Sequence, residues 1–112
     1  MLIDVLIDDG DLEAAWQAAD GHADERQWLT LADLVKDERP ADALRVYLRQ
    51  VEPLRKVTGD GNYQHMARLL LSARTCHQEL GTSEEFGAYL SALRADQKRK
   101  RNLLKILDQH RL

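Results

Sequence analysis

The sequence is poor in the residues that staple or stiffen a small protein. One cysteine, Cys76, stands among 112 residues. That excludes an internal disulfide and any zinc site built from paired thiolates of this chain. Only two prolines interrupt the chain and only six side chains are aromatic. β-Branched residues are scarce, and no stretch alternates apolar and polar residues over a strand's length. No apolar run approaches the roughly 18–20 residues that cross a bilayer. No basic segment precedes an apolar stretch near the start, as a secretory leader requires. The expectation is one soluble, cytoplasmic domain, too short for a multidomain enzyme.

Apolar residues make up 44% of the chain and charged residues 31%, the balance of a soluble globular protein. The net charge of −3 hides an asymmetry. Residues 1–39 carry eleven acidic and three basic side chains, a net of −8, whereas residues 83–112 carry four and seven, a net of +3. Such a gradient marks either ends that attract each other, within a compact fold or a dimer, or a basic end that meets a nucleic acid or another acidic partner.

Apolar residues recur three and four apart, the helical period, so the whole chain reads as α-helix. A first helix covers Met1 to Asp8, with Leu2, Ile3, Leu6 and Ile7 apolar, and stops at Asp9-Gly10. It starts without a cap and is apolar along one side, which suggests a chain cut from a longer protein. Asp11 caps a second helix carrying Leu12, Ala15, Trp16 and Ala19. Asp24 opens a third as a loose capping box with Gln27, and Trp28, Leu31, Ala32 and Val35 form its stripe. Pro40 suits the first turn of a fourth helix, where its missing N–H costs nothing. Leu44, Tyr47, Leu48 and Val51 share a face there. Pro53 removes a backbone bond and predicts a kink near Val51, with the helix running to about Val57.

Thr58-Gly59-Asp60-Gly61 reads as a turn, with Asn62 capping a central fifth helix. Tyr63, Met66, Ala67, Leu70, Ala73 and His77 follow the i, i+3, i+4, i+7 rule, and Leu69 and Cys76 widen the stripe. Gly81 ends it, and Thr82 and Glu85 form the next capping box. The sixth helix buries Phe86, Tyr89, Leu90 and Leu93. It crosses a polar stretch, then resumes at Leu103, Leu104, Ile106 and Leu107. No glycine or proline intervenes, so one helix to about Gln109 fits the pattern.

Weak internal repeats accompany these helices. Leu12-Glu13-Ala14-Ala15 is echoed at Ala41-Asp42-Ala43-Leu44, and Asp42–Leu48 at Glu84–Leu90. Offsets of 29 and 42 lie in the range of tetratricopeptide and HEAT-like hairpins, although the full signatures are absent. The expected fold is an all-α, irregular antiparallel helical-hairpin array of about six helices. In such an array each hairpin rests on its neighbours and a free end stays open. A homodimer through the N-terminal helix follows as an expectation.

Chemistry-bearing constellations are thin. His65 and Cys76 lie roughly 16 Å apart along one helix, too far to share an ion. Cys76 and His77 are neighbours and diverge by about 100° on a helix, so they do not form a nucleophile–base pair. Cys76 reads as a small buried hydrophobe. Asp8-Asp9-Gly10-Asp11 lacks the spacing and final Glu of a calcium loop. Gly59-Asp60-Gly61 lacks the strand and lysine of a phosphate loop. No catalytic residue, metal ligand or cofactor site is assigned, and an enzyme is not expected.

The basic run Lys98-Arg99-Lys100-Arg101, with Arg94 and Lys105, is the candidate interaction surface. Arg94, Arg101 and Lys105 share a helical face. No aromatic is interleaved, so base stacking is not supported. Three readings stay open: a solvated helix segment, a surface for an acidic protein face, or a phosphate-backbone contact. A second candidate surface is a groove between the helices holding Tyr47, Tyr63 and Tyr89.

The stretch Arg39-Pro40-Ala41-Asp42-Ala43-Leu44-Arg45-Val46-Tyr47 leads to Val51-Glu52-Pro53-Leu54. Glu85-Phe86-Gly87-Ala88-Tyr89-Leu90 leads through Leu93-Arg94-Ala95 to Lys98-Arg99-Lys100-Arg101-Asn102. Together with Gly10-Asp11-Leu12-Glu13-Ala14-Ala15-Trp16, they resemble the C-terminal helical region of bacterial, notably actinobacterial, SWIM-type zinc-finger proteins. The resemblance covers most of the chain. That family's Cys-x-Cys and Cys-x-His zinc motif is absent, so none of its ligands maps onto a residue here. The resemblance implies a separated C-terminal piece and a non-enzymatic scaffold that binds a protein partner or the remainder of a larger chain. The alternative is an accessory nucleic-acid-binding domain.

Overall fold

The computed structural model of the chain describes residues 2–112. Met1, placed by the sequence in the first helix, and the Leu2 side chain lie outside the described residues. All regular structure among the described residues is helical: α1 (Leu2–Asp8), α2 (Leu12–Ala19), α3 (Glu25–Val35), α4 (Pro40–Leu54), α5 (Asp60–Leu80), α6 (Ser83–Asp96) and α7 (Arg101–Gln109). Seven helices thus stand where about six are expected. Among the described residues no helix is long and apolar enough to cross a membrane.

Local sequence accounts for most helix ends. The Asp11 carboxylate accepts from the Ala14 N–H at 3.2 Å. Asp24 and Gln27 complete a reciprocal box, Gln27 N–H to Asp24 Oδ1 at 2.8 Å and Asp24 N–H to Gln27 Oε1 at 3.0 Å. Each bond satisfies one of the N–H groups a helix start leaves free. Gly81 ends α5 at φ 71°, a left-handed conformation that glycine adopts without strain.

Three ends differ from expectation. Helix α4 stops at Leu54, not Val57. Beyond Pro53 the amides of Arg55, Lys56 and Val57 reach back only three residues, to Glu52, Pro53 and Leu54, so the lost proline donor loosens the turn. Helix α5 starts at Asp60 after Gly59, and Asn62 sits inside it, donating from Nδ2 to the Thr58 carbonyl at 2.9 Å. Thr82 flanks α6 but makes no side-chain cap. Its hydroxyl instead hydrogen-bonds His77 Nδ1 at 2.7 Å.

The continuous helix expected over 83–109 is broken at residues 97–100. Four consecutive cations would place like charges three residues apart on one helix, Lys98 against Arg101. A straight continuation would also turn Ile106, which is buried here, well away from the face set by Phe86 and Leu93. The break lets both α6 and α7 pack on α5. Arg94 then ties the two together, donating to Asp108 Oδ1 and to the Leu112 carbonyl, each at 2.7 Å.

Extensive packing runs in chain order, α1 on α2, α2 on α3, α3 on α4, α4 on α5, and α5 on α6 and α7. The main core gathers Tyr47, Val51, Met66, Leu70, Leu93, Leu103 and Leu107 around α5. A smaller core joins Ile3, Ala15, Ala19 and Leu31. Trp16 and Trp28 pack against both cores and meet edge to face at 5.2 Å.

Candidate interaction surface

The six basic side chains singled out from the sequence fall into two groups. Arg94 and Lys100 are structural. Arg94 holds α6 to α7 as described. Lys100 reaches back with its Nζ to the carbonyls of Arg55 and Val57, the latter at 3.0 Å. Those carbonyls lie beyond the end of α4, where oxygen atoms lack helical partners and a cation is favoured.

Lys98, Arg99, Arg101 and Lys105 are exposed, and among the described residues none makes an ion pair. Lys98 and Arg99 sit on the α6–α7 turn, and Arg101 opens α7 with Lys105 one turn on. Lys105 also borders a hollow of about 230 Å³ with Asp60, Gln64 and Asn102. Lys100 occupies the N-cap of α7 without a side-chain cap, and the first turn of that helix holds no acid. Cations at a helix N-terminus oppose the macrodipole. The face expected to join Arg94 with Arg101 and Lys105 does not form, because the break separates Arg94 from them.

The groove expected between tyrosines is absent. Tyr47 is 0% exposed and Tyr63 6%; both belong to the core, and only Tyr89 is half-buried. The Tyr47 hydroxyl donates to Asp33 Oδ1 at 2.6 Å. Burial, with that carboxylate beside it, pushes the phenol far above its ordinary range. The helical period marks Tyr47 equally as core and as groove, and its complete burial in the fold distinguishes the two.

Among the described residues, two further clefts are large and open. One, about 490 Å³, lies between α3 and α5 and is lined by Leu29, Asp33, His65, Arg68 and Ser72. The other, about 870 Å³, lies where α4 and α6 end, and is lined by Glu52, Pro53, Arg55, Lys56, Asp96 and Gln97. Sequence reasoning did not single out Arg55, which organises this second cleft. Its Nε lies 2.6 Å from Glu52, its Nη1 3.2 Å from Asp96, and its guanidinium 5.7 Å from the Tyr89 ring centre. Hydrogen bonds from Gln97 Nε2 and from Arg55 hold the Asp96 carboxyl below its usual range. Both carboxylates thus lie on one guanidinium, an arrangement that fastens the end of α4 to α6 and favours the ionised form of Asp96. An Arg at i+3 from Glu52 is too common in helical sequences to mark this joint, and Asp96 lies 41 residues away in the chain.

Cys76 is 1% exposed, and burial pushes its thiol up from the ordinary range. That disfavours the thiolate a nucleophile needs. His77, beside it, turns to Thr82 and lies 5.4 Å from the Phe86 ring. Among the described residues no group of three or more His, Cys, Asp or Glu is placed to hold a metal ion. Comparisons with protein-family models, with curated proteins and with solved structures find no match to the chain.

Proposed function

We propose that the chain is a non-catalytic helical scaffold that acts in the cytoplasm and binds an acidic protein face, on a partner or on the remainder of a larger chain. The observation that carries this reading is the set Lys98, Arg99, Arg101 and Lys105, exposed around a helix start with no side-chain cap and without an ion pair among the described residues. Folding gains nothing from placing them there, whereas a carboxylate-rich partner would. The stepwise packing of successive helices supports an irregular tetratricopeptide-like or HEAT-like hairpin array, and with it an extended binding face. The likeness of the sequence to the helical region of SWIM-type zinc-finger proteins favours the same class of role. The second reading is a phosphate-backbone contact through the same four cations, since Arg101 and Lys105 lie one turn apart on one helix.

Fluorescence anisotropy with a labelled polyglutamate peptide and with labelled single- and double-stranded DNA tests both. The expected result is peptide binding that weakens at least tenfold when the four cations become alanine. DNA binding tighter than peptide binding, with affinity falling steeply from about 50 to 200 mM salt, would replace the first reading by the second. No binding to either probe at low salt would overturn both.

A further inference from the structure

Helix ends carry charge of the wrong sign at two places in the molecule. At the carboxyl end of α1 stand Asp8 and Asp9, and none of α1, α2 and α3 has a basic residue in its last turn. Asp20 follows α2 directly. Lys36 follows α3, but Asp37 and Glu38 come next. A helix carboxyl end is negative, so acids there are repelled. The Arg39 Nη1–Glu13 pair, 2.8 Å, joins the start of α2 to the chain just beyond α3. Arg39, the residue after Glu38, is already shared between Glu13 and Asp42. Of the eleven acids in residues 1–39, only Glu13 has an ion-pair partner among the described residues.

The mirror fault sits at α7, where Lys98, Arg99 and Arg101 crowd a helix amino end. Between the two places, α4 also lacks a basic residue in its last turn, although Arg55 follows it directly, and α5 and α6 match the macrodipole at both ends. Helix α5 has Asp60 in its first turn and His77 in its last, and α6 has Glu84 and Glu85 first and Arg94 last. The acidic helices reach α6 and α7 by extensive packing only through α4 and α5, in a molecule 43 Å long. The two faults therefore do not neutralise each other within one chain.

We propose that each relieves the other between chains: the acidic α1–α3 end of one copy docks on the basic α6–α7 turn of the next. This rests on reading that turn as a surface for an acidic protein face, and names a second copy of this chain as its occupant. The contact is heterologous, because different patches meet, so a docked pair still exposes one free end of each kind and can extend. Attraction between exposed charges is screened by salt within about 10 Å at 0.1 M, so the assembly dissolves as salt rises.

Sedimentation equilibrium with two charge-reversed variants tests it. One carries Lys98→Glu, Arg99→Glu and Arg101→Glu; the other carries Asp8→Lys, Asp9→Lys, Asp37→Lys and Glu38→Lys. Circular dichroism checks that each keeps its helix content. At about 50 mM salt the wild-type mass should rise above the 12.8 kDa monomer with concentration and return to it at about 500 mM. Each variant alone should self-associate at least tenfold more weakly, and an equal mixture of the two should regain association. A wild type that stays monomeric at sub-millimolar concentration and low salt overturns the proposal. So does association that survives in the Lys98/Arg99/Arg101 variant, because that places the contact elsewhere. Binding of polyglutamate by a strictly monomeric wild type would leave the acidic-face reading standing and remove only the self-docking.

Discussion

The two ends of this molecule are built by different means. Around α5 the core is closed by large side chains, Tyr47, Met66, Leu69, Leu70, Leu93, Leu103 and Leu107, all nearly or fully out of water. At the amino end, the buried set is Ile3, Ala15, Ala19 and Leu31. Two alanines among four residues bring backbones close but remove little apolar area. That end relies on two half-buried tryptophans, on the Asp11 and Asp24 caps, and on Arg39 and Arg49 set 5.2 Å over the Trp16 and Trp28 rings. Since apolar burial contributes roughly 25 cal/mol per Å², the difference assigns global stability to α4–α7 and local opening to α1–α3.

The strongest way to break this contrast is Leu70→Ala, which leaves a cavity in the fully buried face of α5. The expected loss is about 2–5 kcal/mol by urea denaturation, with all helices melting together. Trp28→Ala should cost less, roughly 1–3 kcal/mol, because the ring is only half-buried. Its signature is regional: native-state hydrogen exchange should speed up in α1–α3 while α5 keeps its protection. If Trp28→Ala lowers protection equally in α5, the two cores are one cooperative unit and the contrast fails. Asp24→Ala removes half of the capping box and should cost about 1 kcal/mol, read as faster exchange at the first amides of α3.

The smallest effect concerns Asp96. Its folded pKa is depressed by Gln97 and Arg55. Its contribution is thus present above the unfolded value, roughly pH 4, and is lost as pH falls through the folded one. The group is exposed and its pairs are screened. Asp96→Asn should therefore leave neutral stability little changed and flatten the acid limb of a pH–stability profile.

Helix positions were legible where a local signal and the helical period agree. Asp24 with Gln27, Pro40 at a first turn and Gly81 at a last turn each state their role in a few residues. The stripe through Tyr63, Met66 and Leu70 marks α5 as central in the same way. The break between α6 and α7 was not legible, because no glycine or proline announces it. It follows from charge repulsion along Lys98–Arg101 and from the packing of both α6 and α7 on α5, a tertiary demand. The basic run was legible as composition, yet its division was not. Lys100 is withdrawn to the end of α4 by two carbonyls forty-odd residues away in sequence, and nothing near Lys100 announces that partner. Arg55 was missed for the same reason.

One property of the main core also equips the protein with its own clock. Cys76 is the sole thiol of the chain and lies sealed within α5. A thiol-reactive dye therefore labels one atom only, and only while the central helix stands open. The rate of that labelling in native buffer reports the openings that expose the central helix, with no engineered probe and no denaturant.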